Sequence, residues 1–548
     1  MKKLLLFIFM VITGHVIAQN WLWAKSAPGT TINGDEGLNV ATDASGNVFI
    51  VGVFSSPFIF FGTDTLFNSG YQSGYQNICL AKFSPSGAIL WAQNAGAGYA
   101  MGIATDASGN VYITGLNSGS IIFGTDTINS SFFIAKYNAG GNVLWARGTT
   151  SSGPYDYANS IATDASGNVY VTGVYKSPFF IFGSDTLHNT VGSSFVFIAK
   201  YDNGGNILWA KNAVGNVVGT SGEGDAALSI STDLNGNAYI TGHYISSKII
   251  FGTDTLFNFG WQNIFLVKYN TNGTMIWAKG SNGNSASDSY GVSTDLSGNI
   301  YITGYFSSPF ISFGTDTLFN TELSSQEFFL AKYNALGNIL WTKSSAGGNY
   351  NNTAGYSVSN DPSGNVYVSG GCDTLIVFGA DTLHAPSGSP DPMFIVKYNS
   401  SGSVLCTSIL TSGGDDNNGV SADAFGNAYI TGDFISNPFV VGNTTLINKG
   451  LENIFVAKFT CNEVSIKEYT DNQEINIYPN PANRQLIIET YSTDMQTVDL
   501  FDLNGRLILS EIIRGKIIID VSNLNEGIYL LTIKTIDRVS NKKIVIMR

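Results

Sequence analysis

Carboxylates are the side chains present in sufficient number to do chemistry in this sequence, and they fall into three recurring sets. The first is Asp43, Asp106, Asp164, Asp233, Asp295, Asp361 and Asp423, spaced 58 to 69 residues apart, each opening an Asp-x-x-Gly-Asn motif. The second lies about eight residues earlier and comprises Asp35, Asp156, Asp225, Asp288 and Asp415. The third is Asp64, Asp126, Asp185, Asp254, Asp316 and Asp381, in Phe-Gly-Thr-Asp-Thr-Leu or a variant. Carboxylates arrayed in this way suit a hard cation such as Ca²⁺, which takes six to eight oxygen ligands, and the second set is the weak candidate for it. A carboxylate pair also suits acid–base work, but no single repeat is marked out as the active one. Recurrence once per unit is what residues that tie a unit's own turns together would show, so structural hydrogen bonding is the favoured reading.

Other catalytic constellations are missing. The histidines are His15, His188, His243 and His384, without the converging spacing of a catalytic zinc site. No Gly-x-Ser-x-Gly elbow and no phosphate-cradling glycine loop opens a helix. The sequence predicts no catalytic residues, no cofactor beyond the weak Ca²⁺ candidate, and a protein that is not an enzyme.

Composition narrows the class. The 548 residues include 62 Gly, with 13% aromatic and only 12% charged. At 44% hydrophobic the chain can bury enough surface to fold. A net charge of -13 excludes a nucleic-acid binder by bulk electrostatics. Met1-Lys2-Lys3 followed by an apolar run from Leu4 to Ile12, with Val16-Ile17-Ala18, reads as a secretory signal peptide over 1–18. No second apolar run is long enough to span a membrane. Cys79, Cys372, Cys406 and Cys461 lie far apart in sequence and read as small buried apolar residues.

The elements that position these residues come from a repeat. Each Asp-x-x-Gly-Asn turn joins a short strand to a β-branched and aromatic one, as in VYITG. NIFLAKY-like and GNILWAK-like strands follow. Four strands in about 63 residues, with one long insertion, match a propeller blade. The seventh repeat lacks its last strand, and Trp21-Leu22-Trp23-Ala24-Lys25 supplies it from the other end of the chain. The prediction is all-β: a seven-bladed β-propeller over 19–462 and then a small β-sandwich. Six outer strands carry Trp (Trp23, Trp91, Trp145, Trp209, Trp277 and Trp341), and Cys406 takes the seventh place. These motifs resemble the SBBP-type β-propeller repeats of bacterial surface proteins, a likeness specific for fold and weak for function.

Beyond a polar linker at 463–474, alternating apolar runs broken by Asn-Pro and Asn-Gly turns fill 475–548. Tyr478-Pro479-Asn480-Pro481, Gly505-Arg506, Gly527 with Tyr529, and Lys542-Lys543 resemble the type A C-terminal sorting domain of the type IX secretion system of Bacteroidetes. The resemblance implies the secretion machinery as partner and passage through the periplasm to the outer surface or beyond. Asp-Thr-apolar also resembles the O-glycosylation acceptor of that phylum, at Thr65, Thr127, Thr186, Thr255, Thr317 and Thr382.

The functional expectation is a non-catalytic binding or adhesion scaffold with a glycan or protein ligand on one face of the disc. Phe257, Phe259, Trp261 and the Tyr71/Tyr75 pair are aromatics suited to stacking on sugars. The alternatives are a glycan-acting hydrolase or lyase and a purely structural matrix protein.

Overall fold

The computed structural model describes residues 17–548, except 30–33, 69, 72–73, 118, 152, 154, 192, 217–223, 321–324, 347–352, 373–374, 386–391, 412–418, 464–474, 491–494, 503–505 and 535–538. The expected signal peptide therefore falls almost wholly outside the described residues, as do most of the 463–474 linker, Asp415 and Gly505. The chain divides into two compact units, one of them Ile17–Asn462 and the other containing Glu463–Arg548. Among the described residues there is no α-helix.

The larger unit holds seven four-stranded antiparallel sheets, each running from an inner to an outer strand. Taken in chain order they are blades one to seven. Blade four, for example, comprises Ala226–Thr232, Ala238–Tyr244, Asn263–Tyr269 and Met275–Gly280. The exception in connectivity is blade seven, whose outer strand is Ile17–Ala27 paired to Asn453–Glu463. The first described strand and the last strand of this unit thus share one sheet.

Apolar packing runs from sheet to sheet. Each hydrophobic cluster in this unit draws on two neighbouring blades: Phe49 and Leu80 of blade one join Val111 and Ile113 of blade two, and Tyr429 and Val456 of blade seven join Val48 and Ile50 of blade one. Seven such clusters carry the ring through all seven interfaces. A blade buries both faces only when both neighbours are present, and this is why its strands read as nearly continuous apolar runs.

The repeat's polar residues serve these same interfaces. Each outer-strand Trp donates its indole N–H to a backbone carbonyl in the next blade's last turn: Trp23 to Pro85, Trp91 to Ala139, Trp145 to Asn203, Trp209 to Thr271, Trp277 to Ala335 and Trp341 to Ser400, at 3.1 to 3.4 Å. A Lys from the third strand adds a second donor to the same carbonyl, as in Lys200 to Thr271 at 3.3 Å and Lys458 to Pro85 at 3.3 Å. The Trp ring lies so close to that turn that only glycine fits there. At Gly273 φ is 77°, and a Cβ would stand 2.7 Å from the Trp209 ring.

The seventh interface departs from the sequence reading. Cys406 occupies the Trp position of blade six, and Cys461 stands two residues beyond Phe459, where the other blades place the accepting carbonyl. The two form a disulfide. Its separation of 55 residues falls among the 48 to 62 of the Trp–carbonyl contacts between other successive blades, so the pairing follows from blade seven packing on blade six as its sisters pack. Trp21 adds a further tie, donating to Ser408 Oγ at 3.1 Å. Cys79 and Cys372 are buried and take no part in a disulfide.

The smaller unit has a three-stranded sheet (Ile475–Tyr478, Gln485–Thr490, Lys516–Asp520) and a four-stranded one (Leu507–Ile513, Gln496–Phe501, Gly527–Lys534, Val539–Ile546). Both contribute to one core, with Leu486, Ile488 and Ile519 packed with Val498, Leu531 and Ile544.

Replacing Cys406 and Cys461 together by Ala is expected to lower the thermal midpoint. For a disulfide spanning 55 residues, chain entropy sets the loss at about 4 kcal/mol. The double variant C406W/C461A restores an indole facing the carbonyl of residue 461 and is expected to recover part of the midpoint. No recovery would show that the cysteines do not stand in for the Trp–carbonyl tie.

Candidate functional site

The three carboxylate sets take three different structural places. In the first, one Asp43 oxygen accepts the amides of Ser45 and Asn47 and the other accepts the Asn47 side chain, at 2.8 to 2.9 Å. In blade two the Tyr112 hydroxyl adds a bond to Asp106 at 2.8 Å, and the Lys136 ammonium lies 3.7 Å from the same oxygen. Charge on Asp106 is opposed by burial but favoured more strongly by Asn110, Tyr112 and the turn amides, so its pKa lies below the ordinary value. These residues hold the turns and feed the interblade Lys.

The second set is dispersed, one residue per blade. Asp35 is fully buried and accepts the Ser55 and Ser56 amides at 3.0 Å and the Ser56 hydroxyl at 2.7 Å. Asp225 repeats this with Ile245 and Ser246, and Asp156 with the amides of Lys176 and Ser177. Asp288 is out of register with them: Ser287, opposite Phe306, holds the place that Asp35 holds opposite Phe54. Among the described residues no three His, Cys, Asp or Glu side chains are grouped to hold a metal ion.

The third set sits on the inserted hairpins. Asp64, Asp126, Asp185 and Asp254 accept backbone amides from their own blades' outer strands at 2.7 to 3.2 Å, clipping each hairpin down. In the adjoining threonines, Thr127, Thr186, Thr255, Thr317 and Thr382 are exposed and Thr65 is half-buried.

The hairpins join second to third strands, so they share one end of the blades with the loops entering each inner strand. Two of those loop segments pair with them directly, Thr150–Ser151 with Phe179–Phe182 and Val214–Gly215 with Lys248–Phe251. At this hairpin end blade four presents Phe257, Phe259 and Trp261, exposed by 55%, 76% and 71%. Tyr71 and Tyr75 of blade one are exposed as well.

At the same end the sevenfold pattern breaks. Blade four carries His243 where blades one and three carry Val53 and Val174, and its Nδ1 lies 3.0 Å from Asp288 Oδ1 of blade five. Gln262, next to Trp261, donates to the other Asp288 oxygen at 3.2 Å. The Tyr290 ring packs on Tyr305 and on Tyr356 of blade six, with centroids 5.8 and 5.7 Å apart. On the far side of the ring Tyr99 donates to Glu36 at 2.8 Å. The sequence marks no blade as set apart from its sisters, and this junction corrects that reading. Its signal is present in the aligned repeats, as a lone His after Thr-Gly and an Asp one place out of step.

In the C-terminal unit the residues that carry the resemblance to a sorting domain hold the sandwich together. Asn480 accepts the Val545 amide and donates to the Lys543 carbonyl, both at 2.8 Å, pinning the Tyr-Pro-Asn-Pro segment to the last strand. Arg506 pairs with Asp502 at 3.2 Å, and Tyr529 donates to the Asn525 carbonyl at 3.0 Å. Gly527 begins the strand paired to the last one, and Lys543 is exposed on that last strand beside half-buried Lys542.

With this geometry in place, comparison with known proteins defines the class. Residues 476–547 match the Secretion system C-terminal sorting domain, and residues 145–174 match the Beta-propeller repeat family called SBBP. The protein is thus a β-propeller carrying a type IX secretion sorting domain, exported to the cell surface or beyond, and that domain implies a Bacteroidetes origin. An uncharacterized WD repeat-containing protein of Acanthamoeba polyphaga mimivirus is 26% identical over 394 residues, which is 59% of this chain. The chain spans only 28% of that relative's length. Among solved structures, a putative gluconolactonase is 9% identical with a TM-score of 0.28, covering 66% of this chain and 89% of its own. The exotype rhamnogalacturonan lyase YesX is 11% identical with a TM-score of 0.26, covering 95% and 91%. Likenesses this slight carry no argument about activity. No helix among the described residues is long and apolar enough to cross a membrane.

Asp35 gives a test of the carboxylate environment. Burial pushes its carboxyl up to about 6, against the opposing hydrogen bonds from Ser56 and Ser55. Because the folded value lies above the ordinary 3.8, its stabilising contribution is complete below about pH 4 and is lost as pH rises through about 6. In thermal melts at pH 4.5 and 7.0, D35N is therefore expected to lose less midpoint than wild type over that interval. An equal loss in both proteins would refute the assignment.

Proposed function

We propose that the exported propeller is a non-catalytic scaffold that binds extracellular glycan on its hairpin end. The observation that carries this reading is the concentration of Phe257, Phe259 and Trp261 on one blade, exposed in a protein sent outside the cell. Flat aromatic rings stack on the apolar faces of sugars, and planar amides such as Gln262 at the edge of the platform suit sugar hydroxyls.

The polar junction next to this platform favours binding over turnover. The carboxylate of Asp288 is engaged by His243 and Gln262. The turn aspartates and the Asp35, Asp156 and Asp225 carboxylates are each engaged by amides of their own blade, a use of charge for structure. The C-terminal unit serves export, with the secretion machinery as its partner.

Glycan-array binding by the purified full-length protein tests the reading. Wild type is expected to retain a polysaccharide that F259A/W261A retains at least tenfold less, with the thermal midpoint unchanged because both side chains are exposed. Turnover of a bound polysaccharide would overturn the non-catalytic reading, and binding unaffected by the double variant would remove the aromatic platform. The hairpin threonines are further proposed as O-glycan acceptors. Peptide mass spectrometry of secreted protein is expected to find hexose-bearing adducts on the exposed Asp-Thr-Leu and Asp-Thr-Ile peptides, and unmodified masses throughout would eliminate them.

A further inference from the structure

We propose that His243 is held as an imidazolium that latches blade four to blade five, and that the latch slackens as pH rises and the ring gives up a proton to solvent. A neutral imidazole has one N–H donor and one lone pair, whereas the imidazolium has two donors. His243 Nδ1 lies 3.0 Å from Asp288 Oδ1, across the junction of blades four and five. A carboxylate only accepts, so Nδ1 carries a proton in this contact, and a second proton on the ring turns the contact into an ion pair across the two blades. The other Asp288 oxygen accepts from Gln262 Nε2 at 3.2 Å.

The groups facing the ring come from three directions. Blade five contributes Asp288 and, beside it, Tyr305. The loop entering blade four's inner strand contributes Asp225 and the Gly224 carbonyl, and the segment before its third strand contributes Gln262. No cation among them opposes the charge. Burial disfavours the charged ring, but the Asp288 charge and hydrogen bond, with Asp225 and Gly224, outweigh it and set the pKa above the ordinary 6.5. Burial and then the Asp288 charge push the Tyr305 phenol up to about 12, so it stays neutral over the relevant range.

The pairing is specific to this junction. Blades one and three place Val53 and Val174 at the His243 position, and blades two, three and four place Tyr99, Tyr157 and Ala226 at that of Asp288. His188 and His384 are exposed on hairpins instead. The latch ties together three segments that end beside Trp261, which gives the aromatic end of blade four a pH-dependent anchor whether or not the ligand is a glycan.

The sign follows from a folded pKa above the unfolded one. The latch contributes fully below about pH 6.5 and is lost as pH rises through the folded value. Histidine-ring NMR of the full-length protein between pH 5 and 9 tests this, with the His243 resonance assigned by its absence from H243Q. If that variant does not fold, H15Q, H188Q and H384Q assign it by elimination. The expected midpoint lies above 6.5 in wild type and at least half a unit lower in D288N. The thermal-midpoint gap between wild type and H243Q is expected to be wider at pH 5.5 than at pH 8.5. A His243 midpoint at or below 6.5, or one that D288N leaves in place, would overturn the proposal.

Discussion

Each blade in this protein is stable only through its neighbours, and the polar contact that fixes neighbour to neighbour is a backbone carbonyl shared by two donors from the preceding sheet. The indole N–H of an outer-strand Trp and the ammonium of a third-strand Lys converge on that carbonyl, as Trp209 and Lys200 do on Thr271. The Lys in turn sits over the Tyr ring of its own blade, 4.6 Å from the centroid for Lys200 over Tyr170, and beside the turn Asp. Buried charge is tolerable here because every member has a partner. The low charge content and the abundance of aromatics and glycine follow from repeating this arrangement around the disc.

Ring closure is where the arrangement changes. Blade seven is built from the first and last strands of the propeller unit, so its last turn cannot be an ordinary hairpin turn like those of its sisters. The carbonyl-bearing position falls on Cys461 and the Trp position before it on Cys406, and a covalent bond replaces the hydrogen bond. An exported protein has the oxidising route needed to form it. The tie is therefore strongest where the chain is discontinuous.

The hairpin end carries what the repeat does not dictate. Its inserted strands are clipped down by repeated aspartates, which leaves the tips free to vary, and blade four uses that freedom for Phe259 and Trp261 beside Phe257, a position that blades one and five fill with Phe67 and Phe319. Below them the His243–Asp288 contact couples blades four and five. Variation in the loops on a uniform scaffold is the usual way a propeller acquires a ligand without disturbing its packing.

Much of this was legible in the sequence, because turns and strand alternation are local and the repeat wrote them seven times. The Asp-x-x-Gly-Asn turns, the four-strand unit, the N-terminal strand completing the last blade and the sorting segment around Tyr478–Pro481 all follow from short-range pattern. The long-range partners were not legible. Cys406 and Cys461 meet only when blade seven packs on blade six, and Asp288 read as one of a calcium-like series until strand register separated it from Asp35. Local sequence fixes backbone conformation, since each turn's dihedrals and hydrogen bonds lie within a few residues. Which side chains meet across a blade interface depends on ring closure and a single step of strand register, and those exist only once the sheets have packed.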